Sequence, residues 1–145
     1  MKKIILFLFF LFPTILLGKN ELSKDNSHEN LVSYFNKRIT KFKKETENDV
    51  LLKNVDFIVE NDFVTLIFEI IDNDDFFTKI NNTDDSEIKS MFYYKEKENL
   101  QPYDVKLITL LFKDKKGFKL LMKSDEREKI FTIFTYEEIK DLLNK

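Results

Sequence analysis

The residues able to carry polar chemistry in this chain are few in kind. It has one histidine, His28, no cysteine, and Gly117 as its sole glycine beyond Gly18. Thiolate nucleophiles, disulfides and thiolate metal sites are therefore excluded. A phosphate-cradling loop needs several glycines and has nowhere to form. His28 lies in a polar stretch without an obvious partner nearby. Histidine acts as a general base only when a carboxylate or nucleophile is positioned against it, so a serine triad is not expected. The densest groups of oxygen ligands are Asp72, Asp74 and Asp75, then Asn82, Asp84 and Glu87. Calcium takes several oxygens from one compact loop. Phe76 stands where an EF-hand pattern wants an oxygen, and no glycine follows at the bend. These acids read instead as strand-ending and helix-capping groups, where exposed backbone N–H groups favour carboxylates. Glu69, on a mostly apolar strand, is either a buried carboxylate with a raised pKa or a solvent-facing residue. No cofactor or metal is expected. Two carboxylates at the right separation can hydrolyse a bond without histidine, so a carboxylate-pair hydrolase stands as an alternative reading among the 26 acids.

Two further groupings suit binding better than catalysis. Phe76, Phe77, Phe92, Tyr93 and Tyr94 can line an apolar small-ligand pocket, or else are ordinary core. Lys37, Arg38, Lys41 and Lys44, with Lys43, make one helix basic enough to meet anionic lipid or an acidic partner. Glu45 and Glu47 dilute that charge, and cations near a helix C-terminus are favourable in any case. Lys113, Lys115, Lys116, Lys119 and Lys123 flank a hairpin, where lysines guard sheet edges.

The first eighteen residues have a different character. Lys2 and Lys3 precede an apolar run, Ile4 to Phe12, then Pro13, Thr14 and a second apolar patch ending at Gly18. That is the layout of a secretory signal peptide. The 15 residues from Ile4 to Gly18 fall short of the roughly 20 that span a bilayer. Cleavage is expected after Gly18, leaving about 127 residues from Lys19. Lys19 stands where a lipoprotein needs cysteine, so lipid anchoring is not expected. The protein is thus expected to be exported, periplasmic or extracellular, touching membrane only through the segment before cleavage. The remainder carries 22 basic and 26 acidic residues, unlike the strongly basic footprint of a nucleic-acid binder. Twelve of the 16 phenylalanines lie beyond Gly18, and the chain has neither Trp nor Ala. The core is therefore aromatic.

These residues need elements to position them. Residues 19–30 read as a flexible polar lead-in, and 31–145 as a single domain. Leu31, Phe35, Ile39 and Phe42 recur at helical spacing to about Glu47. Val55, Phe57 and Val59, then Val64, Leu66, Phe68 and Ile70, alternate as strands joined by a turn at Glu60-Asn61-Asp62. Helical patterning covers 76–97, broken at Asn81-Asn82-Thr83 and restarted by Asp84 with Glu87. Three strands are expected at 105–113, 118–123 and 129–135, with Gly117 supplying positive φ in the first turn. Thr135 with Glu138 opens a final helix as a capping box. The expected class is α+β, in the order α-ββ-α-βββ-α, with a five-stranded antiparallel sheet covered by helices. In topology this resembles the PAS and profilin-like architectures, and the cystatin and NTF2-like rolls somewhat less. A PAS-like resemblance implies a sensor-type ligand pocket as an alternative function. The leading expectation is a non-enzymatic exported domain that works by binding a protein partner, with no nucleic acid involved.

Overall fold

The structure, a computed structural model, describes residues 26–87, 89 and 102–144. Helix α1 spans Ser27–Glu45. Its inner stripe is Leu31, Tyr34, Phe35, Ile39 and Phe42, all buried, at the three- and four-residue steps that put side chains on one helix face. Glu29 in its first turn and Lys43 and Lys44 in its last suit the helix dipole. The helix begins before Leu31, so residues 27–30 belong to it and not to the expected lead-in. At its end the Thr46 hydroxyl donates to the Phe42 carbonyl, and the Asp49 carboxylate accepts from the N–H groups of Leu51 and Leu52. These bonds turn the chain into the sheet.

Strands β1 (Leu52–Val59) and β2 (Phe63–Ile70) form the expected hairpin, closed by the Glu60 N–H on the Phe63 carbonyl. Helix α2 (Asp74–Asn81) follows, and helical backbone resumes at 85–87 after the break the sequence marks. There the Asp84 carboxylate accepts from the Ser86 N–H, as a helix-starting residue should.

The expected third strand is not a strand. Residues 102–113 form helix α3 (Pro102–Lys113), with Leu107, Leu110 and Leu111 buried at helical spacing. A run apolar on both sides fits a covered strand or a buried helix equally well. What decides between them is the next pairing: β3 (Gly117–Lys123) lies parallel to β2, and parallel neighbours need a long crossover. Strand β4 (Glu128–Phe134) returns antiparallel to β3. The sheet therefore has four strands in the order β1-β2-β3-β4 and is mixed, not five-stranded and antiparallel. The α+β class stands. The five-stranded sheet on which the likeness to PAS, profilin, cystatin or NTF2-like folds rested is absent from the described residues. Helix α4 (Tyr136–Leu143) closes the order, its Thr135–Glu138 capping box formed in both directions.

Side-chain alternation gives the sheet two unlike faces. On one, Val55, Val64, Leu66, Phe68, Phe118, Leu120, Met122 and Phe134 join the buried residues of α1, α3 and α4 in one core. The strand register sets out the other face in rows. Asn54, Glu69, Lys123 and Glu128 form a polar row; Asp56, Ile67, Leu121 and Ile130 form the next; then come Ile58, Thr65, Lys119 and Ile133. Ile58 is 52% exposed and Ile130 48% exposed, while Ile67, Leu121 and Ile133 are half-buried; none belongs to the core cluster.

Candidate functional site

Several residues singled out by type have structural employment. His28 is on α1, not in a lead-in, and its Nδ1 lies 3.1 Å from the Asp114 carboxylate at the end of α3. The Ser27 hydroxyl donates to the other oxygen of the same carboxylate at 3.5 Å. Serine and histidine thus converge on one aspartate. A nucleophile relay needs the serine on the histidine instead.

Asp72 and Asp74 are held by a guanidinium. Arg127 donates to both oxygens of Asp72, at 2.9 and 2.6 Å, and its third nitrogen reaches Asp74 at 2.9 Å. The guanidinium carbon lies 4.4 Å from the centre of the Phe77 ring, and the Ser124 hydroxyl donates to Asp72 at 2.7 Å. The hydrogen bonds from Arg127 and then Ser124 outweigh the desolvation cost and hold the Asp72 carboxyl below its usual value. This clasp joins the β3–β4 turn to the start of α2. Among the described residues no cluster of three or more histidine, aspartate or glutamate side chains is placed to hold a metal ion.

Of the expected pocket aromatics, Phe76 and Phe77 stand edge to face at the start of α2, with Phe77 buried under Arg127. Phe92, Tyr93 and Tyr94 lie outside the described residues. Lys37, Lys41 and Lys44 do share a face of α1, four and three residues apart. Lys41 pairs with Glu45 at 3.2 Å, and the Arg38 guanidinium lies 5.5 Å from the Tyr34 ring centre. Glu69 is half-buried on the second sheet face, beside Asn54.

What remains is that second face. At its upper edge Lys119 covers the Phe63 ring at 4.1 Å and approaches the Glu60 carboxylate at 3.7 Å, while the Thr65 hydroxyl donates to Glu60 at 3.0 Å. The lysine therefore leans away from the centre, leaving Ile67 and Leu121 side by side with Ile58, Ile130 and Ile133 around them. The polar row from Asn54 to Glu128 bounds it below. A sheet facing water on one side normally alternates apolar-in with polar-out. Here the outward positions of all four strands include isoleucine or leucine.

Comparison with protein-family models, curated proteins and solved structures finds no match. No described helix is long and apolar enough to cross a membrane.

The sequence reading missed this surface, although its trace was there. In the sequence Ile58 and Ile67 merely alternate with core residues, and Leu121 stands inside the 118–123 strand. Their common side depends on the register between strands, which one strand's pattern does not contain.

Proposed function

We propose that this chain acts by binding another protein, with the second face of its sheet as the contact surface. The observation that carries the reading is the isoleucine and leucine group, Ile58, Ile67, Leu121, Ile130 and Ile133, standing outside the core. A contiguous apolar area with a polar border is the usual anatomy of a protein contact. The reading is non-enzymatic: His28 and Ser27 both spend their hydrogen bonds on Asp114, and Asp72 and Asp74 are committed to Arg127. The setting we favour is the cell envelope or the exterior, on the strength of the Lys2 to Gly18 pattern.

The test is photo-crosslinking in the native cell, with a photoreactive residue at position 67 or 121 and a control at position 37 on α1. Adducts are expected from the sheet positions and not from the control. No adduct from either sheet position, in a correctly folded protein, overturns the reading. N-terminal sequencing of the same material is expected to begin at Lys19.

A further inference from the structure

Building on the binding reading above, we infer that the partner on the second sheet face is a second copy of this chain, packed face to face across a twofold axis parallel to the strands. Such an axis lays β2 of one copy over β3 of the other and keeps each row opposite itself. Ile67 then meets Leu121 of the second copy, and Leu121 meets its Ile67. Ile58 likewise meets Ile133. In the polar row, Glu69 meets Lys123, and the twofold repeats that contact. An isologous contact must be self-complementary in this way. The other in-plane axis, perpendicular to the strands, fails. Centred on the apolar row, it sets Ile67 and Leu121 on themselves but inverts the outer rows, bringing Lys123 against Lys119 and leaving Glu69 over Thr65 without a cation. Asp56 over Ile130 is the poorest match on the favoured axis. Like Ile58 over Ile133 it lies on the edge strands, where two twisted sheets packed at about −30° diverge, so the central strands, with Ile67 on Leu121 and Glu69 on Lys123, carry the contact.

Size sets the strength. Four strands about 4.8 Å apart, each offering about seven residues at about 3.3 Å, give a face near 430 Å², or roughly 900 Å² for the pair. That lies below the standard size of stable complexes and in the range of weak, reversible ones. The association should therefore depend on concentration, and the charge pairs should fix its register more than its strength.

The experiment is sedimentation velocity on the full chain over a wide concentration range, with Glu69→Lys and Lys123→Glu variants alone and mixed. Each variant alone sets like charges opposite one another across the twofold axis, and its self-association is expected to weaken more than about tenfold. In the mixture a lysine pair faces a glutamate pair at both contacts, so a mixed dimer is expected to return. That return cannot come from a folding defect or from the apolar N-terminal segment. A wild-type chain monomeric at all concentrations overturns the inference, as does association unchanged by either reversal or variants that fail to recover on mixing. If the inference fails while positions 67 and 121 still crosslink to a different protein in the cell, the binding reading stands and only the identity of the partner is wrong. Loss of both crosslinking and self-association removes the two together.

Discussion

Gly117 begins β3 where a side chain has no room. A Cβ there would meet the Phe134 carbonyl oxygen at 2.5 Å and the Phe63 ring at 2.6 Å. Gly117→Ala is therefore expected to destabilise the fold by about 1–3 kcal/mol, the scale of overpacking a tight site, measured as a lower urea midpoint with an unchanged slope. The need for glycine here is legible in the sequence, but for another reason than the one that operates: the positive φ in this turn falls on Lys115, at 53°. Close approach between β3, β4 and Phe63 depends on tertiary packing and leaves no local mark. The same holds for Arg127, which nothing in its neighbourhood links to Asp72, 55 residues earlier. Its consequence is measurable. Asp72 is held below its ordinary 3.8 when folded, so the unfolded chain binds the proton more readily. The contribution is fully present above that ordinary value and fades as pH falls through the lower folded one. Stability plotted against pH should fall more gently below about pH 4 in Asp72→Asn than in wild type. Equal slopes would mean that the clasp does not titrate this carboxyl.

At the scale of elements, local signals succeeded wherever a boundary carries its own chemistry. The Thr135–Glu138 pair marks the start of α4, and both of its hydrogen bonds are present, at 2.8 and 3.3 Å. Removing the hydroxyl orphans a first-turn N–H, so Thr135→Ala should cost about 1 kcal/mol and Thr135→Ser much less, read as paired shifts in thermal midpoint. The carboxylate has a second task. Partial burial disfavours its charge, but the Lys89 ammonium at 2.8 Å and the Thr135 N–H outweigh that and keep Glu138 below its usual pKa. Where a boundary signal is passed over, the reading fails: Pro102 is the first residue of α3, a position proline favours, and Lys113 lies in its last turn. Val105 to Phe112 is apolar but for Lys106 and Thr109, and a short run of that kind suits a covered strand as well as a helix. Leu107, Leu110 and Leu111 became a helical stripe because β2 and β3 run parallel, a fact of the whole sheet. One misassigned element was enough to turn a mixed four-stranded sheet into an antiparallel five-stranded one.

The described residues place the core cluster on one side of the sheet, and adjacent residues test that arrangement directly. Leu66 and Ile67 are neighbours in β2 with similar side chains, yet Leu66 is 2% exposed in the core while Ile67 faces the other way. Leu120 and Leu121 repeat the contrast in β3, with Leu120 at 1% exposure. Truncating a packed core leucine loses its transfer free energy and leaves a cavity, so Leu66→Ala and Leu120→Ala should each cost about 2–5 kcal/mol. That is a large part of the roughly 5–15 kcal/mol that holds a domain together. Ile67→Ala and Leu121→Ala remove only partly covered surface, and about 1 kcal/mol or less is expected. The comparison must be made by urea unfolding at a concentration low enough for the chain to be monomeric, because association through this face would add its own stabilisation. Raising the concentration should then stabilise wild type and leave Ile67→Ala and Leu121→Ala less affected. If instead the outward pair costs as much as the core pair in the dilute monomer, something in the chain itself covers the second face. That result would make those residues core and remove the surface on which the binding reading depends.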